Sequence, residues 1–177
     1  MTAALSDAEL VAMWRQGDEA AALALVRRHA GPLGRYLGAR GATSAERDDL
    51  LQETFFRAFR GIAAWRGDAP LSGWLFRIAG NLLKDRFRRD GGRVFVELLD
   101  TDMVGAADPS SELAADEAAN RLHEGMATLS PMQREVFLLR VEQGLDYREV
   151  AAALDTTEGA ARVHYHHAVK RLRERLL

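Results

Sequence analysis

LSPMQREVFLLRVEQGLDYREVAAALDTTEGAARVHYHHAVKRLRERLL, residues 129–177, reads as a capped helix, a break, and two further helices joined by a tight turn. Ser130, Pro131 and Gln133 make an S-x-x-Q capping box with proline at the first helical position, and Gly144 closes that helix. The spacing predicts a short second helix from about Tyr147 to Leu154. Val150 and Leu154 share one of its faces, and Ala151 to Ala153 are small enough for another helix to cross closely. Asp155 and Thr156 form the turn. Thr157 then caps a longer helix, Glu158 sits where the helix dipole favours an acid, and Ala161, Tyr165, Ala168 and Leu172 recur as its buried stripe. The opposite face carries Arg162, Val163, His166, His167 and Lys170, followed by Arg171, Arg173 and Arg175.

A short helix, a tight turn and a basic second helix together describe a helix-turn-helix, whose second helix fits a DNA major groove. Its cations would pair with phosphates while a few side chains touch base edges. Val163 suits a thymine methyl, although a lone exposed valine needs no explanation of that kind. The same face would also serve as a plain solvated surface. His164 and His167 stand at a chelating interval, but the chain has no cysteine and no carboxylate nearby at ligand spacing, so a metal site is not expected.

Composition narrows the rest. With 47% hydrophobic residues and four prolines among 177, most of the chain folds, as one domain or two small ones. The absence of cysteine excludes disulfides and thiolate metal sites and fits a reducing cytoplasm. No run approaches the roughly 20 apolar residues of a membrane span, and the N-terminus lacks the plan of a secretory signal, so a soluble, cytoplasmic protein without membrane insertion is expected. The net charge of −2 argues against a generic polyanion binder. Charge is segregated instead. Residues 77–89 hold five basic residues and one acid, residues 162–175 likewise, and residues 96–120 hold seven acids and no base.

From the N-terminus, Ser6, Asp7 and Glu9 open a helix that Gly17 ends, and Asp18 caps a second one expected to stop near Gly31. Ser44 precedes a strong helix reaching about Arg60, with Leu51, Phe55, Ala58 and Ile62 as its core stripe. Its other face lines up Asp49, Gln52, Glu53 and Phe56, with Asp48 beside them. That strip is either a solvated face with one exposed phenylalanine or a partner surface. A loop from Ala63 to Pro70 contains Trp65 and Arg66, and a helix from Trp74 to about Arg89 follows it. Arg77, Asn81, Lys84 and Arg88 recur along one of its faces as a cationic ladder. A dipole effect accounts for arginines at the C-terminal end but not for Arg77. Trp65 and Trp74 flank the loop; such residues are usually core, but beside cations they also suit an unstacked base. Gly91 and Gly92 end this unit. Residues 93–120 read as an acidic linker, with a helix expected from Glu112 through the alanine-rich 113–128.

These residues resemble a known family, the extracytoplasmic-function sigma factors. Asp48, Asp49, Leu50, Gln52, Glu53, Thr54 and Phe55 look like its D-L-x-Q-E-x-F motif of region 2.2. Pro70, Trp74, Leu75, Ile78, Ala79, Asn81, Leu82 and Asp85 look like its P-x-x-x-W-L-x-x-I-A-x-N-L-x-x-D run across regions 2.3 and 2.4. Leu129, Ser130, Arg134, Glu135, Val136, Phe137, Leu139, Tyr147, Glu149, Val150, Ala151, Glu158 and Gly159 resemble region 4. The chain departs from the family's frequent E-G-T-V-K with Glu158, Gly159, Ala160, Ala161 and Arg162, and has His167 where arginine is common.

The resemblance implies an all-α protein of two small helical domains, residues 1–92 and 121–177, joined by an acidic flexible linker over 93–120. It implies a role without catalysis, without cofactor and without metal: binding core RNA polymerase and directing it to promoter DNA, with an anti-sigma factor as a further partner. Polymerase binding would fall to Asp48, Asp49, Gln52, Glu53 and Phe56. Contacts to the −10 element would fall to Trp65, Arg66, Trp74, Arg77, Asn81, Lys84 and Arg88. Contacts to the −35 element would fall to Thr157, Glu158, Ala160, Arg162, Val163, His166, His167 and Lys170. The rival readings are a stand-alone helix-turn-helix regulator, a helical protein-protein adaptor and, weakest, a metal-dependent nuclease using Asp49 and Glu53.

Overall fold

The structure, a computed structural model, describes residues 5–89 and 124–176. Helices α1 (Asp7–Arg15) and α2 (Glu19–Gly38) start where the sequence places caps: the Ser6 hydroxyl accepts from the Glu9 amide at 3.3 Å, and Asp18 accepts from Ala20 at 2.9 Å. α2 does not stop at Gly31. It continues through Pro32 because Leu25, His29, Leu33, Tyr36 and Leu37 form one buried stripe across that point. Packing of the stripe outweighs the single backbone bond that proline cannot make.

α3 (Ser44–Gly61) is capped by Thr43, paired with Glu46 in a capping box, so Ser44 is already helical. Its buried face is Leu50, Thr54, Phe55 and Ala58, with the expected Leu51 only half-buried. The fully buried Thr54 hydroxyl donates to the Leu50 carbonyl at 2.6 Å, which removes the cost of a polar group in the core. A 3-10 turn at Ile62–Ala64 leads to the loop, and α4 (Leu71–Arg89) begins three residues ahead of Trp74 because Leu71 is itself a core residue. Phe76 and Leu83 join Leu75, Ala79 and Leu82 in the core, and Tyr36 meets Phe76 edge-on at 4.9 Å.

The C-terminal unit consists of a helical turn at 124–127, α5 (Pro131–Val141), α6 (Tyr147–Leu154) and α7 (Glu158–Leu176). The Ser130–Gln133 box forms as read, and Asp146 forms a second box with Glu149. Asp155, at φ 55°, takes the left-handed turn between α6 and α7, a conformation that aspartate tolerates better than most side chains. The Thr157 hydroxyl caps α7 by accepting from the Ala160 amide at 3.1 Å. Ala161, Ala168 and Leu172 are buried along the expected stripe, and Tyr165 is half-buried.

The two units touch. α4 packs along α6, and one apolar cluster runs from Leu10, Leu37 and Leu75 through to Val136, Leu139, Val150 and Ala153. A smaller cluster, Met126, Leu129, Leu138, Ala168 and Leu172, closes the far end of the C-terminal unit. The linker expected over 93–120 and the helix expected from Glu112 lie outside the described residues, apart from the turn at 124–127. Among the described residues there is no strand, and no helix is long and apolar enough to cross a membrane.

Candidate functional site

Three surfaces gather the residues that the sequence singles out. The first is the outer face of α3. Asp48, Asp49, Gln52 and Phe56 are exposed there, and Glu53 is half-exposed with its carboxylate held by Arg57 at 2.6 Å. Phe56 leaves 55% of its surface open, with the Arg60 guanidinium 5.5 Å from its ring centre. Asp49, Gln52, Glu53 and Phe56, but not Asp48, line one bank of a groove of about 570 Å³ whose other bank is α4, through Leu82, Arg86 and Arg89. Arg86 reaches across it to Glu46 at 3.5 Å and Asp49 at 3.7 Å. The groove therefore combines an apolar ring with both signs of charge, a composition suited to a protein partner.

The second surface is the loop 63–70 with the exposed edge of α4. Arg15 of α1 donates to the carbonyls of Ile62 and Trp65, both at 2.7 Å, and fixes the entrance of the loop. Trp65 donates from Nε1 to the Ala69 carbonyl at 3.0 Å and closes the loop on itself around Gly67, at φ +79°. Trp65 and Trp74 are half-buried against the main core, so each is part packing residue and part surface. Arg66 is exposed at the tip. Arg77, Asn81, Lys84 and Arg88 are all exposed along α4, as the ladder reading expects. Arg88 lies 2.5 Å from Asp85, and Arg77 lies 3.1 Å from Asp155 of the C-terminal unit.

The third surface is α7. Thr157, Glu158, Arg162, Val163, His166, His167 and Lys170 are exposed on it, Val163 by 53%, whereas Ala160 is half-buried. The Tyr147 ring of α6 is covered by Arg140 of α5 at 4.4 Å and by Arg162 of α7 at 4.8 Å, so it touches both neighbouring helices. Arg162 also lies 3.9 Å from Glu158 one turn back. Such a helix presents cations, imidazoles and one apolar tip over a buried stripe, the side-chain set that reads a duplex groove. Among the described residues no cluster of three histidine, cysteine, aspartate or glutamate side chains comes together that would hold a metal.

Several structural residues were not legible from spacing. Arg15 is one. Arg40, 5% exposed, pairs with Glu135 through both carboxylate oxygens, its Nε donating at 3.1 Å. Asp7 holds Arg28 at 2.5 Å and His29 at 2.9 Å. Burial works to raise the Asp7 carboxyl, but its bonds and charge contacts with His29 and Arg28 outweigh that and keep it below the usual aspartate value. All these pairs join residues far apart in the chain, and only the Asp7 capping position gave any sequence signal.

Comparison with known proteins gives a consistent set. Residues 25–93 match the family described as Sigma-70 region 2, and residues 119–172 match Sigma-70, region 4. The chain is 35% identical over 172 residues to the ECF RNA polymerase sigma factor SigE of Mycolicibacterium smegmatis, covering 90% of this chain but 64% of that one. It is 33% identical over 157 residues to the ECF RNA polymerase sigma factor SigM of Mycobacterium tuberculosis, covering 89% of this chain and 78% of the relative. Among solved structures, CnrH in complex with the cytosolic domain of CnrY superposes with a TM-score of 0.68 at 27% identity, covering 95% of each chain. The sigma factor RpoE of Bartonella quintana, in complex with the anti-sigma factor NepR, shares the fold at a TM-score of 0.58 and 24% identity, over 87% of this chain and 93% of that one.

Proposed function

The chain belongs to the extracytoplasmic-function RNA polymerase sigma factors, and on that premise we propose that it binds core RNA polymerase and directs it to promoters, with no catalytic residue of its own. The work divides between two domains. Residues 1–92 hold the polymerase and the −10 element, residues 121–177 hold the −35 element, and the acidic segment 93–120 joins them. Asp48, Asp49, Gln52, Glu53 and Phe56 are the polymerase contacts in this reading. Support comes from their common exposure beside a groove with an apolar floor, where an open phenylalanine has no packing role to account for it.

Promoter opening needs cations beside a place for an unstacked base, and Arg66, Arg77, Asn81, Lys84 and Arg88 with Trp65 and Trp74 supply that combination. Duplex reading needs a helix that enters the major groove, and α7 carries it with Thr157, Glu158, Ala160, Arg162, Val163, His166, His167 and Lys170. The observation that carries the reading is the pairing of the two family segments with folded units in which the apolar motif residues, Leu50, Phe55, Leu75, Leu82, Val136 and Val150 among them, are buried while Asp48, Asp49, Gln52 and Asn81 are exposed. An anti-sigma factor, inferred from the family, is a further partner in this proposal; CnrH, 27% identical to this chain, is seen in complex with the cytosolic domain of another protein, CnrY. The whole cycle takes place where the polymerase is, in the cytoplasm.

The deciding experiment asks whether the purified chain co-elutes with bacterial core RNA polymerase and starts a specific transcript from the promoter upstream of its own gene. Co-elution with specific initiation is the expected result. Failure to bind a competent core polymerase, with DNA binding retained, would replace the reading with a stand-alone helix-turn-helix regulator.

A further inference from the structure

Tyr147 is the first residue of α6, fixed there by the capping box that Asp146 makes with Glu149. Its ring is half-buried at the margin of the main apolar cluster, so it stands as a flat aromatic wall at a set place. Other residues of the C-terminal unit brace it. Tyr165 of α7 meets it edge-on at 6.1 Å, and Phe137 of α5 stacks against Tyr165 at 6.2 Å. Arg140 of α5, which donates to the Leu145 carbonyl, lies 4.4 Å from the Tyr147 ring centre. The outward neighbour is Arg162 of α7. Its guanidinium stands 4.8 Å from the same ring centre, while its side chain keeps 64% of its surface open.

A guanidinium has two separate binding parts. Its flat face suits an aromatic ring, and its N–H groups donate in the plane to phosphate or to the acceptors of a guanine. A ring against the face leaves the N–H edge free, so Tyr147 and DNA do not compete for the same atoms. Glu158 does compete for that edge, but from 3.9 Å and between exposed side chains its hold is slight. Arginine is otherwise a mobile side chain, and fixing it at the moment of binding costs affinity. We propose that Tyr147 is a positioning residue for promoter recognition: its braced ring holds the Arg162 guanidinium in place before the duplex arrives and leaves the N–H edge for the −35 element. The proposal rests on the promoter-directing function above, and adds to it a residue on the first helix of the helix-turn-helix that acts through another side chain. A packing role alone makes the opposite prediction, that Tyr147 and Arg162 contribute independently.

The test is a double-mutant cycle on the full chain bound to core RNA polymerase, reading the holoenzyme concentration that half-saturates a duplex carrying the promoter upstream of its own gene. Tyr147→Leu and Tyr147→Met keep apolar volume and remove the ring; Tyr147→Phe keeps the ring and removes the hydroxyl. Circular dichroism and thermal melting establish that each variant folds, and one folded ring-free variant suffices. Losing the ring should raise half-saturation about two- to fivefold, the range of a partly exposed cation–π contact, and Tyr147→Phe should restore the wild-type value. In a chain already carrying Arg162→Ala, losing the ring should change nothing further. An equal loss in both backgrounds would overturn the proposal, as would wild-type half-saturation without the ring. In the free wild-type chain, the Arg162 side-chain protons should resonate upfield of those of an unstacked arginine, because they lie over the ring; unshifted resonances would overturn the stack whichever variants fold. A wild-type chain that binds the polymerase yet gives no promoter-specific occupancy, with those resonances shifted, would instead overturn the promoter-directing function, and with it the positioning role.

Discussion

Replacing Phe56 by alanine separates binding from folding. The ring is 55% exposed and stands outside both apolar clusters, so the folded chain barely depends on it. A phenylalanine side chain presents about 200 Å², so roughly 110 Å² is open to a partner; at about 25 cal/mol per Å² that is near 2.7 kcal/mol if a partner covers all of it. Alanine keeps part of this contact, so the expected loss is about 2 kcal/mol, or roughly thirtyfold in Kd. The assay is equilibrium titration of the labelled chain with core RNA polymerase, with a thermal melt of the free protein as control. An unchanged Kd with an unchanged melt would refute the assignment of the α3 groove to the polymerase. Glu53→Ala is a useful companion, because it removes a carboxylate that already holds Arg57 at 2.6 Å and so should cost less than the ring.

Further measurements probe the other elements. Arg162→Ala and Lys170→Ala should each weaken binding to a −35 duplex by about 1 kcal/mol at moderate salt, with a shallower salt dependence where the lost contact is to phosphate; equal affinity across all three proteins would remove α7 as the reading helix. Leu139→Ala empties a fully buried site in the cluster that both units share, and urea unfolding should register about 2–5 kcal/mol of lost stability. Asp7→Asn addresses pH. The Asp7 carboxyl is held below its ordinary value in the folded chain, so its stabilising contribution is present above the unfolded aspartate pKa and disappears as pH falls through the lowered folded value. Melting temperatures of wild type and Asp7→Asn should therefore differ at neutral pH and converge in acid; a gap that persists into strong acid would assign the effect to packing.

Much of the fold was legible because it is written in local chemistry. Capping boxes at Ser6 and Ser130 and the stripe Ala161, Tyr165, Ala168 and Leu172 place their helices, since a cap bond and a helical period depend only on near neighbours. The same locality explains the errors. Gly31–Pro32 carries a stop signal, and only the continuing burial of Leu33, Tyr36 and Leu37 against distant helices overrides it. Trp74 is a conspicuous helix start, yet Leu71 begins α4 because the core has room for it. Every residue chosen for the three surfaces does reach solvent in some measure, because the polar faces of amphipathic helices follow directly from their apolar ones. Contacts between units had no such signal. Nothing adjacent to Arg40 announces a partner at Glu135, since only the tertiary fold brings them together.

The apolar cluster shared by the two units has a consequence for synthesis. A ribosome releases α4 well before the helix that packs along it, and the 65 residues from 90 to 154 must be made first. At about 5–20 residues per second that interval lasts roughly 3–13 s. Through it the nascent N-terminal unit carries an unfinished apolar face around Leu75. The earliest competitor for that face is a chaperone or a neighbouring nascent chain, and the order of translation, as much as equilibrium stability, decides how much protein matures with the face covered by its own C-terminal helices.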